Sequence, residues 1–134
     1  MRILGIDYGN KKIGLAFGDS DAHVAVPLDV VPNFGEATLE VFAKKVRAED
    51  IDVIVVGVPL STGTHHSGDQ LEKTRAFIHA LEGLVTIPVM EEDESYTTTE
   101  SIRLQQEEGA QANEDALAAM LITQAYMDRV ARSE

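Results

Sequence analysis

Cysteine and tryptophan are absent from this 134-residue chain, aromatic residues make up only 5% of it, and 11 basic residues face 23 acidic ones. Without cysteine there can be no disulfide, no thiolate nucleophile and no sulfur-ligated metal, so any bound ion must sit on oxygen or imidazole, as suits a cytoplasmic protein. The formal net charge of −12 repels phosphate backbones at long range and disfavours nucleic acid as a partner unless local charge or a bound cation makes a contact face. Long apolar runs are missing too. The longest, VIVVGVPL at residues 53–60, is far shorter than the roughly 20 residues needed to span a bilayer, so no membrane insertion is expected. The start of the chain enters a strand-like pattern without the basic start, apolar core and cleavage site of a signal peptide, which again predicts a cytoplasmic location. No repeat or Pro-, Gly- or Ser-rich tract divides the sequence, and its length predicts one domain over residues 1–134.

What is present is a succession of short apolar segments. Residues 3–6 and 13–17 have the aliphatic bias of neighbouring strands joined through a Gly-Asn turn. HVAVPLDVV gives a third strand, whose Pro27 suits a sheet edge. Leu39, Phe42, Ala43 and Val46 recur at helical spacing between Gly35 and Asp50, and DVIVVGV then forms a continuous apolar run, the mark of a strand covered on both faces. QLEKTRAFIHALEG predicts a second helix closed by Gly83, VTIPVM a fifth strand, and EEDES a loop. A helix over TTTESIRLQQEEG carries Thr97 and Glu100 at capping-box spacing and ends at Gly109. A last helix starts at Glu114 behind an Asn113 cap, with Leu117, Leu121 and Ala125 spaced four apart and Ile122, Tyr126 and Val130 beside them. The order βββ-α-β-α-β-α-α predicts an α/β fold with a mixed five-stranded sheet, strands 1–3 antiparallel and strands 4 and 5 parallel to strand 1, flanked by helices. Strands 1, 4 and 5 then end on one edge, where open α/β sheets bind ligands.

Asp7 is the residue that this frame makes conspicuous, because a carboxylate where a strand leaves the core is costly unless solvated, hydrogen-bonded or bound to a cation. Each candidate has a plainer explanation when taken singly. Aspartate is common before a hairpin turn, the run holding Glu94 can be a solvated loop, and Asp115 in the first turn of a helix is stabilised by the macrodipole. The three together are different: Mg²⁺ and Mn²⁺ need several carboxylate oxygens converging from separate elements. His65 and His66 lie in the loop after strand four and match no metal-binding pattern, so solvent exposure is expected for them. Lys11, Lys12, Lys73 and Arg75 are ordinary surface cations or phosphate contacts, and Lys11 is the one we favour as a contact.

At these residues the chain resembles the YqgF family of RNase H-like proteins, which are pre-16S rRNA nucleases or Holliday junction resolvases. The family pattern D-x-G-x-K-R-[IV]-G-[VL]-A stands here as DYGNKKIGLA, G-x-P as GVPL, D-E-R-x-T-T as DESYTT, and D-A-x-A-A as DALAA. The resemblance implies an RNase H-like nuclease domain with Asp7, Glu94 and Asp115 as catalytic and metal-ligating residues. In such nucleases two divalent ions, Mg²⁺ or Mn²⁺, lie about 4 Å apart, one activating water and one stabilising the leaving 3′ oxygen. Under this reading Lys11, Lys12 and Arg75 are the expected substrate contacts, and the resemblance implies a phosphodiester of precursor rRNA or of branched DNA as substrate.

The chain also departs from the family. Ser95 takes the arginine position of D-E-R-x-T-T, Tyr96 replaces an aliphatic residue, and Lys12 stands where arginine is usual. Lysine and serine cannot copy a guanidinium fork on phosphate. From Glu91 to Asp115 nine acidic residues accompany a single cation, Arg103, so nucleic-acid binding is expected to be weak. The resemblance therefore implies an endonuclease of 16S rRNA maturation. The alternatives are a Holliday junction resolvase, which would need a symmetric dimer to cut two strands, and a noncatalytic binding module. A further one is a nucleotide site like the phosphate loop of actin-like ATPases. The sequence leaves monomer and homodimer open.

Overall fold

The computed structural model describes residues 1–60, 67–94 and 114–133, with residues 67 and 68 described by their backbone alone. The predicted helix at residues 97–109, the Asn113 cap, Ser95, Tyr96, Arg103, His65 and His66 lie outside the described residues.

Three strands, β1 (Arg2–Asp7), β2 (Lys12–Asp19) and β3 (Val24–Pro32), form an antiparallel meander. Helix α1 (Glu36–Ala48) crosses to β4 (Val53–Val58), and α2 (Ser67–Glu82) precedes β5 (Val89–Asp93). A last described helix, α3, covers Glu114–Ser133. The sheet order is β3-β2-β1-β4-β5, with β4 parallel to β1 and β5 parallel to β4. The expected mixed topology and the edge position of the proline-bearing strand are therefore observed.

Every residue of β4 is buried, because helices cover both faces of the sheet. On one face α1 and α2 pack Phe42, Val46, Phe77 and Leu81 against Leu4, Ile6, Leu15 and Ile54; Phe42 and Phe77 meet edge to face at 6.2 Å. On the other face α3 lays Ile122, Tyr126 and Met127 over Ile3, Val53 and Val55. The side-chain alternation of β1 thus sends Leu4, Ile6 and Tyr8 toward α1 and α2, and Ile3, Gly5 and Asp7 toward α3.

Two expectations need correction. The buried face of α3 includes Leu117, Ile122 and Tyr126 as expected, but it continues through Ala119, Thr123 and Met127, while Leu121, Ala125 and Val130 are only partly buried. Glycines cause this rotation: a Cβ on Gly5 would overlap the Thr123 hydroxyl, and one on Gly18 would stand 2.6 Å from Thr123 Cγ2. Small residues on β1 and β2 admit the helix so closely that a compact threonine faces the sheet, its hydroxyl donating to the Ala119 carbonyl at 2.7 Å. A hydropathy pattern counts Thr123 as polar and misses it.

The fifth strand begins at Val89 and runs through Glu91, Glu92 and Asp93, so the acidic run begins inside the sheet instead of forming a loop. Alternation directs the two glutamates to opposite faces. Arg75 of α2 grips Glu91 with two bonds of 2.9 and 3.0 Å. Arg129 of α3 grips the buried Glu92 at 2.9 and 2.8 Å. The pairs tie an edge strand to the helices on both sides. Glu92→Gln should therefore lower stability by about 1.5–3 kcal/mol, the scale of a hydrogen bond to a charged group. Glu91→Gln, whose partner Arg75 is half exposed, should change it by less than about 1 kcal/mol. Thermal melts of the two variants test the difference.

Candidate functional site

Because β1, β4 and β5 run parallel, their carboxyl ends share one edge, and on the α3 face of that edge three acidic side chains are brought close. Asp7 is the last residue of β1. Glu94 follows β5, its backbone N–H donating to the Val58 carbonyl at 3.0 Å, which continues the β4–β5 ladder one step beyond Asp93. Its carboxylate hydrogen-bonds the carboxyl of Asp7. Asp115 enters from the first turn of α3, and its charge reaches Asp7 as well.

Two glycines make this convergence possible. Gly14 lies opposite Asp7 in the β1–β2 ladder, and the Asp115 carbonyl occupies the space that a Cβ there would need. Gly57 at the end of β4 leaves room for Glu94, whose Oε2 would be 3.0 Å from a Cβ at that position. The turn after β1 is held from outside, with the Asn33 amide donating to the Gly9 carbonyl at 2.9 Å and the Asn33 N–H donating to the Lys11 carbonyl at 2.9 Å.

The electrostatics follow from this crowding. Burial first, then the neighbouring Glu94, Asp115 and Glu114 charges, push the Asp7 carboxyl up to about 9. Burial also raises Glu94, opposed by its bond with Asp7. Near neutral pH the pair thus holds a proton between two carboxylates, as two like charges in contact must when no cation separates them. Hard oxygen donors from β1, the end of β5 and α3 are the set that suits Mg²⁺ or Mn²⁺. The set is not preassembled for one ion: among the described residues no group of three or more acidic or imidazole side chains has a metal-holding arrangement. Lys12 Nζ stands 3.2 Å from Asp115 Oδ2 and neutralises that carboxylate in its place.

The structure therefore brings Asp7, Glu94 and Asp115 to one edge and engages two of the three cations expected to contact substrate. Lys12 pairs with Asp115, and Arg75 with Glu91. Lys11 is exposed, and among the described residues it shows no ion pair. Sequence reasoning missed the structural use of Glu92 and the capture of Arg75, although the alternation of Glu91 and Glu92 in a strand was a signal for both.

Comparison with known proteins identifies the family and the fold. The chain is 37% identical over 141 residues to a protein of Syntrophus aciditrophicus named "Putative pre-16S rRNA nuclease", covering 100% of this chain and 93% of that protein. It is 37% identical to a protein of the same name from Pelotomaculum thermopropionicum, covering 98% and 90%. In fold it is similar to Thermus thermophilus RuvC, solved in complex with a Holliday junction substrate, with a TM-score of 0.62, 12% identity and coverage of 99% and 96%. The fowlpox virus Holliday junction resolvase follows with a TM-score of 0.58, 13% identity and coverage of 96% and 99%. No described helix is long and apolar enough to cross a membrane. A family profile described as "RuvX: Holliday junction resolvase" matches residues 1–129, and with relatives of this identity along nearly the whole chain, the protein belongs to the RuvX/YqgF family and has its RNase H-like fold.

Proposed function

We propose that this protein is a divalent-metal-dependent endonuclease that hydrolyses phosphodiester bonds in the maturation of pre-16S rRNA, with Asp7, Glu94 and Asp115 as its catalytic carboxylates. The observation that carries the reading is the meeting of the Asp7 and Glu94 carboxyls, one from the end of β1 and one from the residue after β5, at the edge where parallel strands end. A bound Mg²⁺ or Mn²⁺, singly or as a pair, would supply a Lewis acid for water and for the scissile phosphate. Asp7, which both Glu94 and Asp115 reach electrostatically, would hold such an ion together with them. Glu94 reaches it from β5, and Asp115 takes part once Lys12 turns from it to a substrate phosphate. Lys11, exposed in the turn that follows Asp7, contacts the backbone of the strand. The pre-16S rRNA substrate rests on the names of the curated relatives, and it implies work in the cytoplasm.

A second reading, cleavage of four-way DNA junctions, is favoured by the family description. It requires a homodimer, whereas a monomer suffices for rRNA. Incubating the protein with precursor rRNA and with a synthetic junction, in Mg²⁺, Mn²⁺ or chelator, separates the two. Metal-dependent cuts in rRNA alone support the first reading, and paired cuts in the junction support the second. No cleavage of either leaves a noncatalytic binding module.

Binding should be weak and only mildly sensitive to salt, because a chain of net charge −12 with two of its candidate cations already paired can neutralise few phosphates. We expect log K to fall with log salt at a slope of about −2 to −3, the value for two to four phosphate contacts. Lys11→Ala should make the slope shallower by about 1 without altering metal affinity. Anisotropy titrations at several salt concentrations measure both.

A further inference from the structure

On the opposite face of the same sheet edge lies a cleft of about 340 Å³ that the proposed chemistry does not use. Tyr8, the residue after Asp7, forms one wall and rests on Phe77 with ring centroids 4.6 Å apart and planes tilted by 36°. Leu39 of α1 and Ala76 of α2 continue the apolar lining, while Asn33, Glu36 and Lys73 supply the polar rim, so the cleft carries one charge of each sign. Phe77 is buried, whereas Tyr8 is only partly so, so the outer ring of the pair borders the open space. Asn33 is fixed in place: its amide donates to the Gly9 carbonyl at 2.9 Å and its Oδ1 accepts from the Gly35 N–H at 3.1 Å. The same residue's N–H is bonded to the Lys11 carbonyl, which ties the wall of the cleft to the turn bearing the exposed Lys11. Lys73 pairs with Asp69 at 3.4 Å, but both side chains are largely exposed, so this contact is weak and yields readily to a phosphate.

We propose that this cleft binds an unpaired nucleobase of the strand being cut, stacked on the Tyr8 ring, while the adjoining sugar-phosphate backbone crosses the carboxyl edge toward Asp7. The inference rests on the nuclease reading for its substrate and adds the substrate's form, single-stranded at the site of cleavage. Successive side chains of a strand point to opposite faces, so Asp7 and Tyr8 address the two faces of the edge. A strand with its phosphate on the Asp7 side can place a neighbouring base on the Tyr8 side only if that base is free of a duplex. The aromatic pair, an adaptable cation at the rim and space for a base with part of its ribose are the elements of a stacking site that accepts any base. The acidic chain explains why such a site is useful: with few cations available, stacking supplies affinity that phosphate contacts cannot.

The test measures binding without cleavage. A fluorescein-labelled single-stranded RNA hexanucleotide and a wholly abasic hexamer of equal charge are titrated with the full chain in Ca²⁺ and in chelator. The base-containing strand should bind about 5- to 100-fold more tightly, the range expected from stacking one base or slightly more. Tyr8→Leu should erase this preference while leaving the abasic affinity unchanged, and Lys73→Ala should weaken both strands alike. Ala76→Leu, made at an exposed position of α2 that lines the cleft, should fill the space and erase the preference too, which keeps the test valid if Tyr8→Leu does not fold. Equal binding of the two strands by the parent, binding of neither, or a preference that survives a folded cleft variant would overturn the proposal. Failure of the nuclease reading would look different: the base preference would persist in a protein that cuts nothing.

Discussion

Asp7→Asn should raise the melting temperature of the metal-free protein while removing cleavage. In the folded chain the Asp7 carboxyl is pushed up to about 9 from an ordinary value of 3.8, first by burial and then by Glu94, Asp115 and Glu114. Between those two values the folded state holds a proton that the unfolded chain releases. The stability this group contributes is therefore complete below its unfolded pKa and is lost as pH rises through the window, by up to about 1.4 kcal/mol per pH unit. Asparagine does not titrate, so the difference between variant and parent should widen from pH 5 to pH 8. Partial exposure of Asp7 to water reduces the ideal figure, and we expect a gain at pH 8 on the order of 1–3 kcal/mol, several degrees in Tm. Other carboxylates move oppositely. Asp128, held below the usual range by its bonds with His23 and Gln124, gives stability that is lost on acidification, so the difference between the two proteins is the quantity to follow.

With metal the sign should reverse. Mn²⁺ at 100 times its dissociation constant should stabilise the parent by about 2.7 kcal/mol and the variant far less, because an amide cannot replace an anionic ligand. Cleavage should fall by at least about 10²-fold, the scale of losing one preorganised electrostatic contact. Glu94→Gln should act in the same direction. Melts at several pH values, with chelator and with Mn²⁺, together with cleavage assays, check all of this. If Asp7→Asn destabilises the metal-free protein and leaves the Mn²⁺ shift intact, Asp7 is a turn residue and the proposed site is wrong.

Gly14→Ala should be the most damaging single methyl group on the sheet. Its Cβ would overlap the Asp115 carbonyl and stand 3.0 Å from the Ala116 N–H nitrogen. Both are backbone groups in the first turn of α3, so no rotamer change can relieve the clash. The start of the helix must move off β2, opening the buried contacts of Ala116, Leu117 and Ala119 and carrying Asp115 away from Asp7. We expect a loss of about 3 kcal/mol, at the upper end of overpacking costs, together with weaker Mn²⁺ binding. Gly18→Ala meets a side-chain methyl of Thr123 at 2.6 Å and the Met127 Cε at 3.7 Å. A methyl and a flexible methionine can shift, so this variant should cost less and leave metal affinity unchanged. Denaturant titrations and Mn²⁺ titrations of the pair distinguish the two outcomes; equal effects on metal affinity would mean that the approach of α3 to Gly14 does not set the position of Asp115.

The sheet could be read from the residues because its causes are local. Pro27 cannot donate within a central ladder, so its strand had to be an edge, and the unbroken apolar run VIVVGV could only be covered on both faces. A strand ending in Asp7 and two crossovers returning parallel strands beside it then fixed which edge would carry carboxylates. What the tertiary structure alone decided is how each charge is used, since a charge is assigned by a partner that sequence distance conceals. Glu91 and Glu92 look alike, yet one meets Arg75 and the other Arg129, and Lys12 is drawn to Asp115 across roughly a hundred residues. The close seating of α3 belongs to the same class, because Gly5, Gly14, Gly18 and Gly57 show no hydropathy signal. Their missing side chains become meaningful only when a helix fills the space, and that contact brings Asp115 to Asp7.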